Sequence, residues 1–276
     1  MEIAKHRFSY RTRYEEYRLR PVGDVHLGSA ACDEKAFEAT IEEIAKDDHS
    51  LMVLMGDLIE GILHDDPRWD ARGVASWCYE KKNRANIAIA QRDRMLSYLK
   101  RVPSKRILAV VNGNHEDVVR HRHMLDVSLD IARELGAPYL GDEGFIQLGF
   151  SVPNRKQPTG TCTRLFDIFV THGHGGGRKI GGKANRIVDV GAYLTSDITI
   201  MGHVHDKFAA HSPRLGLDTH GNFVSTDRVC VLSGCFLKAY MPGIPSYAAR
   251  ALFPPTDIGS PVIHIRPNDR MLRVTL

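Results

Sequence analysis

The sequence predicts an α/β fold, and two observations carry that prediction. Five short apolar runs each end in a small residue that is followed by Asp, His or Asn, and helical patterns separate several of these runs. A short apolar run closed by a turn signal is typical of a strand buried on both faces. Ligands of open α/β sheets bind beyond the carboxyl ends of the strands. We therefore expect the polar residues after the five runs to meet at one edge of a sheet.

The first predicted elements are a strand, a helix and a second strand. Leu19–Gly23 is the first strand candidate, and residues 1–18 before it are interpreted as a basic N-terminal arm. Asp33 can cap a helix. One face of that helix carries Phe37, Ile41 and Ile44. The apolar run Leu51–Met55 predicts the second strand.

The next stretch, residues 62–106, interrupts this alternation and is predicted to form a helical insertion. It holds eleven Lys/Arg against five Asp/Glu, together with Trp69 and Trp77. An imperfect helical pattern runs through Ala85, Ala88, Met95 and Leu99. A strand at Arg106–Val111 follows, and then a helix that ends at Gly136.

The remaining elements alternate less regularly. Residues 137–163 look irregular, with a loop at Val152–Thr161. Strands are predicted at Leu165–Val170 and Asp197–Met201, with a helix through Ile187 between them. Later strand candidates are Val229–Leu232, Val262–Ile265 and Met271–Val274.

Composition is that of a soluble globular protein. The 276 residues are 43% hydrophobic and 25% charged, with a net charge of +4, so wholesale disorder is excluded and a sizeable core is possible. We interpret residues 1–276 as one domain. The mildly basic balance favours an anionic partner such as phosphate or nucleic acid.

The cellular setting is predicted from what the sequence lacks. There is no apolar stretch long enough for a membrane span and no secretory signal at the start. The five cysteines are scattered and include no Cys-x-x-Cys pair, which argues against a disulfide framework or thiolate zinc site. We expect a cytoplasmic protein with no membrane partner.

The residues that follow the apolar runs offer carboxylate, imidazole and amide donors. They are Asp24, His26, Asp57, Asn114, His115, His172, His203 and His205. These donor types suit divalent cations such as Mn, Fe or Zn. A carboxylate can bridge two ions, and a pair of ions about 3.5–4 Å apart is the usual arrangement for phosphoester hydrolysis.

These residues resemble the five motifs of the calcineurin-like metallophosphoesterases, in the family's order. The matching segments are Gly-Asp-Val-His at 23–26, Gly-Asp at 56–57, Gly-Asn-His-Glu at 113–116, His-Gly at 172–173 and Gly-His-Val-His at 202–205. The resemblance implies a four-layer αββα sandwich of two mixed sheets. It also implies hydrolysis of phosphoesters by a metal-bound hydroxide.

The resemblance implies a role for each matching residue. Asp24, His26 and His205 would hold one metal. Asn114, His172 and His203 would hold the other, and Asp57 would bridge both. His115 would be the general acid, with Glu116 orienting its ring. Manganese is the favoured ion, and iron, zinc and nickel are alternatives.

The first motif, Gly-Asp-Val-His-Leu-Gly, looks most like the repair-nuclease branch of bacteria, phages and archaea. That branch commonly carries a further capping domain, for which we see no obvious room. We therefore expect a phosphodiesterase or nuclease acting on nucleic acid or nucleotides. The alternatives are a phosphomonoesterase and, more remotely, a non-enzymatic scaffold.

Several further residues are candidate substrate contacts, and each of them also has a structural interpretation. His174 is either a ligand or substrate contact or a plain loop residue. Arg178 and Lys179, after three glycines, either cradle a phosphate or lie in a surface loop. Arg68 and Arg72, beside Trp69 and Trp77, either track single-stranded nucleic acid or belong to a helical cap. His64-Asp65-Asp66 is interpreted as a solvated loop, and Cys235 as a buried small residue.

Overall fold

Two mixed β-sheets form the centre of the fold. The structure is a computed structural model that describes residues 1–152, 162–244, 246–250 and 252–276. Its five-stranded sheet has the order β13-β12-β2-β3-β4. These strands are β2 (Tyr17–Val22), β3 (Ser50–Leu54), β4 (Ile107–Val110), β12 (Val262–Arg266) and β13 (Met271–Thr275). β2, β3 and β4 run parallel, so their carboxyl ends lie at one edge.

The second sheet has six strands in the order β1-β5-β6-β7-β11-β8. They are β1 (Glu2–Ser9), β5 (Glu143–Ser151), β6 (Cys162–Thr171), β7 (Ile198–Met201), β8 (Lys207–His211) and β11 (Val229–Ser233). β6, β7 and β11 are parallel neighbours. A separate antiparallel hairpin is formed by β9 (Arg214–Leu217) and β10 (Phe223–Thr226).

Helices cover the outer face of each sheet. The helices are α1 (Glu34–Lys46), α2 (Ile87–Leu99), α3 (Asn114–His123), α4 (Val127–Leu135), α5 (Ile180–Tyr193) and α6 (Tyr247–Arg250). Buried side chains of α1, α2 and α4 pack on the five-stranded sheet. Ile187 of α5 packs on Met201, Cys230 and Leu232 of the other sheet.

The strand β3 shows how one segment serves two layers. Successive side chains of a strand point to opposite faces. Leu51 and Val53 therefore face the six-stranded sheet and join the core between the sheets. Met52 and Leu54 face the helices. The resulting four layers confirm the predicted αββα sandwich of two mixed sheets.

Two segments differ from the sequence prediction because they lie where hydrophobic patterning is weak. Residues 1–18, interpreted as a basic arm, contribute β1 and the start of β2; in β1 only Ala4 is fully buried. Residues 137–163 were expected to be irregular, yet Glu143–Ser151 forms β5 between β1 and β6. Gly144 and Gly149 interrupt the apolar pattern of that strand. Most of the loop predicted at Val152–Thr161 lies outside the described residues.

The stretch 62–106 also differs in part from a helical insertion. Its one α-helix, α2, belongs to the layer on the five-stranded sheet, where Ala88, Met95 and Leu99 are buried. The residues before α2 form loops and short 3-10 turns at Ala71–Gly73 and Ser76–Tyr79. Among the described residues, no helix has the length and apolarity needed to cross a bilayer.

Candidate metal centre

The predicted ligands meet where parallel strands of both sheets end. The loops after β2, β3 and β4 supply Asp24, His26, Asp57 and Asn114, and the loops after β6 and β7 supply the three remaining histidines. Several of these residues have left-handed backbone, with φ between 47° and 68°: Asp24, His26, Asp57, His203 and His205. Such conformations are uncommon for residues other than glycine and concentrate at functional sites.

Two glycines allow the motif loops to pack backbone against backbone. A Cβ on Gly56, whose φ is +84°, would lie 2.7 Å from the backbone of Gly113. A Cβ on Gly113 would lie 2.0 Å from the amide nitrogen of Asp57. Both positions therefore require glycine, which fixes Asp57 beside the start of α3.

The first ligand group consists of Asp24, His26 and His205. Nε2 of His205 lies 3.2 Å from Oδ1 of Asp24 and 3.2 Å from Nε2 of His26. Asp24 and His26 are buried, and the His205 side chain is 25% exposed. The three ligand atoms thus lie close together at the base of a cleft, which His26 and His205 help to line.

The second ligand group consists of Asp57, His172 and His203. Nε2 of His172 lies 3.4 Å from Oδ2 of Asp57 and 3.1 Å from Oδ1 of Asn114. The same Oδ2 lies 3.8 Å from Nε2 of His26 in the first group. Asp57 therefore stands between the two groups, as a bridging carboxylate must.

The donor set fits divalent cations, as two observations indicate. Nδ1 of His203 is buried without a hydrogen-bond partner among the described residues, and such an orphaned atom is costly unless something binds it. Burial favours the neutral His172 imidazole, but Asp57 and Asp24 outweigh it and raise the His172 pKa to about 10. The site is thus negative enough to favour positive charge.

His115 lies at the edge of both groups. Its backbone N–H donates to Oδ1 of Asp57 at 2.9 Å, and its Nδ1 is hydrogen-bonded to the carbonyl oxygen of Glu60. Nε2 is 3.5 Å from Nη1 of Arg68. His115 is within reach of a metal group with His26 and Asp57, but the guanidinium beside Nε2 disfavours a second cation there.

Glu116 has a different contact from the one predicted. Its carboxylate accepts hydrogen bonds from the backbone N–H groups of Asp57, Leu58 and Ile59, at 2.7–3.0 Å. It therefore holds the loop that carries Asp57, and the carbonyl of Glu60 takes the predicted role of orienting the His115 ring. Burial, with Asp57 nearby, raises the Glu116 pKa to about 7.

Two supporting residues were missed by the sequence analysis. Oε2 of Glu60 is hydrogen-bonded to Nδ1 of His26 at 3.1 Å. Lys183 is buried and donates to the carbonyl of Val204 and the carboxylate of Asp206. It thereby holds the loop of His203 and His205. Neither contact could be predicted from a motif, because each joins residues that are distant in the sequence.

Of the two arginines predicted to contact the substrate, the structure places Arg68 in the cleft and Arg72 outside its lining. Arg68 lines the cleft above the metal centre, and Asp66 holds its guanidinium through two hydrogen bonds, at 3.0 and 2.8 Å. Arg72 is paired with Asp70, and its side chain is 72% exposed. It is not among the described residues that line the cleft.

The other candidate substrate contacts are not brought to the metal centre. The side chains of His174, Arg178 and Lys179 are exposed, and within the described ranges none of them lines the cleft or joins a ligand group. From the stretch between His174 and Lys179, the residues that line the cleft are Gly175–Gly177.

The remaining alternatives are resolved by packing. Trp77 packs against the helical layer, with the Arg94 guanidinium 4.7 Å from its ring centre, whereas Trp69 lines the cleft. Asp66 is the partner of Arg68, and Asp65 pairs with His123 at 3.3 Å. Cys235 is buried, and burial raises its pKa to about 12.

This chain resembles known proteins in structure, whereas the sequence comparisons found no match. No protein-family model and no curated protein matches the sequence. A predicted phosphoesterase from Streptococcus pneumoniae TIGR4 matches at 12% identity and a TM-score of 0.34, over 91% of this chain and 83% of the other. Nuclease MPE from Pseudomonas putida matches at 14% and 0.32, over 92% and 86%.

A third likeness is to Vps29 from Entamoeba histolytica, solved in complex with Zn²⁺. It matches at 13% identity and a TM-score of 0.30, over 94% of this chain and 97% of the other. Each of these TM-scores is below 0.5. The geometry of the metal centre therefore has to carry the functional assignment.

Proposed function

We propose that this chain is a calcineurin-like metallophosphoesterase that uses two divalent cations to hydrolyse phosphodiesters of nucleic acid or nucleotides. One observation carries the proposal: the buried Asp57 carboxylate of the second ligand group also adjoins the first, with its Oδ2 3.4 Å from Nε2 of His172 and 3.8 Å from Nε2 of His26. The five motifs of the family resemblance all contribute to this one site.

The ligand side chains divide between the two ions. Asp24, His26 and His205 would hold the first, and Asn114, His172 and His203 the second, with Asp57 shared. When bound, such a pair of cations lowers the pKa of a water and neutralises charge on the phosphate oxygens. Manganese is the preferred candidate, and iron, zinc and nickel suit the same donors.

His115 is placed to move a proton. The Glu60 carbonyl accepts a hydrogen bond from Nδ1–H and so fixes the orientation of the ring. Nε2 faces the cleft, where the protonated imidazole can donate to the departing oxygen of the ester. Arg68 lies beside that atom, and its guanidinium can pair with a phosphate oxygen of the substrate.

A diester substrate is supported by the size of the cleft. The cleft above the metal centre has a volume of about 730 Å³, which leaves room for a substituent on each side of a phosphate. A phosphomonoesterase remains the alternative, because its chemistry needs the same ligands. A scaffold without turnover is the remote alternative.

Paired hydrolysis assays test the proposal. The chain is treated with a chelator, manganese is restored, and hydrolysis of bis-p-nitrophenyl phosphate is compared with that of p-nitrophenyl phosphate. We expect metal-dependent hydrolysis with preference for the diester. Preference for the monoester would favour a phosphatase, and no turnover of either ester with metal bound would contradict catalysis.

A further inference from the structure

The cleft has one apolar wall that the metal centre does not use. Trp69, Val74, Leu237, Phe253 and Pro254 line it. Trp69 directly follows Arg68, whose guanidinium reaches His115. The cleft lining therefore contains both an aromatic ring, that of Trp69, and the Arg68 cation that would meet the phosphate.

Trp69 lies outside the apolar core of the described residues. Among the described residues, the three apolar clusters do not include it, although they include Trp77 as a partly buried member. A large aromatic side chain that lines a cleft outside the core is available to a ligand.

The part of this apolar wall around Leu237 is fixed in place. The N–H of Phe236 donates to the carbonyl of Asp24 at 2.9 Å, and the N–H of Lys238 donates to that of Ala31 at 3.0 Å. Leu237, between them, is thus held beside the first ligand group. Its position is set by the same strand end that carries Asp24.

An exposed ion pair connects two segments that line the cleft. Nη2 of Arg250 lies 3.4 Å from Oδ2 of Asp70, which also binds Arg72 at 3.0 Å. Asp70 follows Trp69, and Arg250 comes from the segment after β11. Asp70 and Arg250 both line the cleft, and its volume of about 730 Å³ lies within the range of small-ligand sites.

On the basis of the proposed function, we propose that this pocket binds the nucleoside part of a small phosphodiester, with the base stacked on Trp69 and the phosphate at Arg68 and the metal centre. Stacking on an aromatic ring beside a cation is the usual way in which proteins hold unpaired bases. A cleft of this volume admits a nucleotide or a free single-stranded end.

Matched esters test the nucleoside subsite. Thymidine 5′-(p-nitrophenyl phosphate), methyl p-nitrophenyl phosphate and phenyl p-nitrophenyl phosphate share the leaving group and differ only in the other substituent. We expect kcat/KM for the thymidine ester to exceed that for the methyl ester about tenfold. In Trp69→Ala the ratio falls to about 1, and in Trp69→Phe most of it remains. Phe223→Ala, which removes a ring 88% exposed on the hairpin, keeps the full ratio.

Three results would overturn the subsite. One is a ratio near 1 in the unmodified chain, and another is a preference that survives Trp69→Ala. The third is an equal gain with the phenyl ester, which would indicate an apolar pocket without preference for a nucleoside.

A binding measurement separates this inference from the proposed function. Trp77→Phe leaves Trp69 as the one tryptophan of the sequence. Thymidine 5′-monophosphate is expected to quench its fluorescence, and methyl phosphate is not. Absence of quenching at millimolar nucleotide contradicts the subsite. Absence of hydrolysis with quenching retained contradicts only the proposed function.

Discussion

Nδ1 of His26 is hydrogen-bonded to Oε2 of Glu60 at 3.1 Å. This contact leaves Nε2 of His26 facing Asp57 and His205, where an ion would bind. A carboxylate behind a ligand histidine fixes the ring and raises its basicity. Glu60 thus supports one ion through His26, while its carbonyl supports His115.

The contact predicts a loss of metal affinity in Glu60→Ala. Because the Glu60 carbonyl is retained, His115 keeps its partner while His26 loses one. Affinity for manganese should fall about 10–100-fold, as measured by calorimetric titration of metal-free protein. Glu143→Ala, which removes an exposed carboxylate on β5, should not change the affinity. Equal affinities of the two variants would contradict this role of Glu60.

The His115 assignment predicts a dependence on the leaving group. His115→Ala should retain both metal ions but lose on the order of 10²–10⁴ in rate on esters with an alkoxide leaving group, which needs a proton. The loss should be much smaller with p-nitrophenolate, which leaves as an anion. Metal analysis together with rates on both kinds of ester checks this. A loss of bound metal would instead identify His115 as a ligand.

The two arginines provide a matched pair of variants. Arg68→Met should raise KM for diesters about tenfold, because it removes a charge-assisted contact to the phosphate. Arg72→Met removes the same charge from an exposed side chain outside the lining of the cleft and should leave KM unchanged. Steady-state kinetics on bis-p-nitrophenyl phosphate distinguishes the two, and similar effects would contradict the role of Arg68.

The pair of Asp47 and Arg18 predicts a pH dependence of stability. Burial alone would raise the Asp47 pKa, but hydrogen bonds from Arg18, Ser50 and the His49 amide outweigh it and lower that pKa well below its usual value. A lowered folded-state pKa stabilises the fold above the unfolded value of about 4, and this contribution declines gradually as the pH falls from there through the lower folded-state pKa.

Asp47→Asn should therefore cost about 1 kcal/mol at pH 7, since the pair is partly exposed. The difference from the unmodified chain should shrink as the pH falls below about 4. Urea denaturation at pH 7 and at pH 3 measures both values. A difference that stays constant between these pH values would contradict the electrostatic explanation.

The sequence predicted those parts of the fold that depend on local pattern. In α1, Asp33 accepts from the N–H of Ala36 as an N-cap, and Phe37, Ile41 and Ile44 are buried, as their spacing indicates. The strands that precede the metal ligands were also found, because each contains a short, mainly apolar run that a turn signal closes. The edge strand β1 was missed, since its polar alternate residues face solvent.

Contacts between distant segments were not predictable. The Glu116 carboxylate was assigned to its neighbour His115, but its partners are N–H groups some 57–59 positions away in the chain. Glu60 and Lys183 likewise act through loops whose approach depends on the packed sheets. The sequence motifs specify the types of ligand residue and their spacing. The supporting contacts form only when the fold brings the loops together.

Metal stoichiometry tests the central claim, a pair of ions that share Asp57, most directly. Chelated protein would be loaded with manganese, freed of excess, and analysed for metal and for hydrolysis of bis-p-nitrophenyl phosphate, beside Asp57→Asn. We predict two ions per chain with activity, and at most one ion without activity in the variant. One ion or none in the active chain, or an Asp57→Asn variant that keeps both ions and full activity, would contradict it.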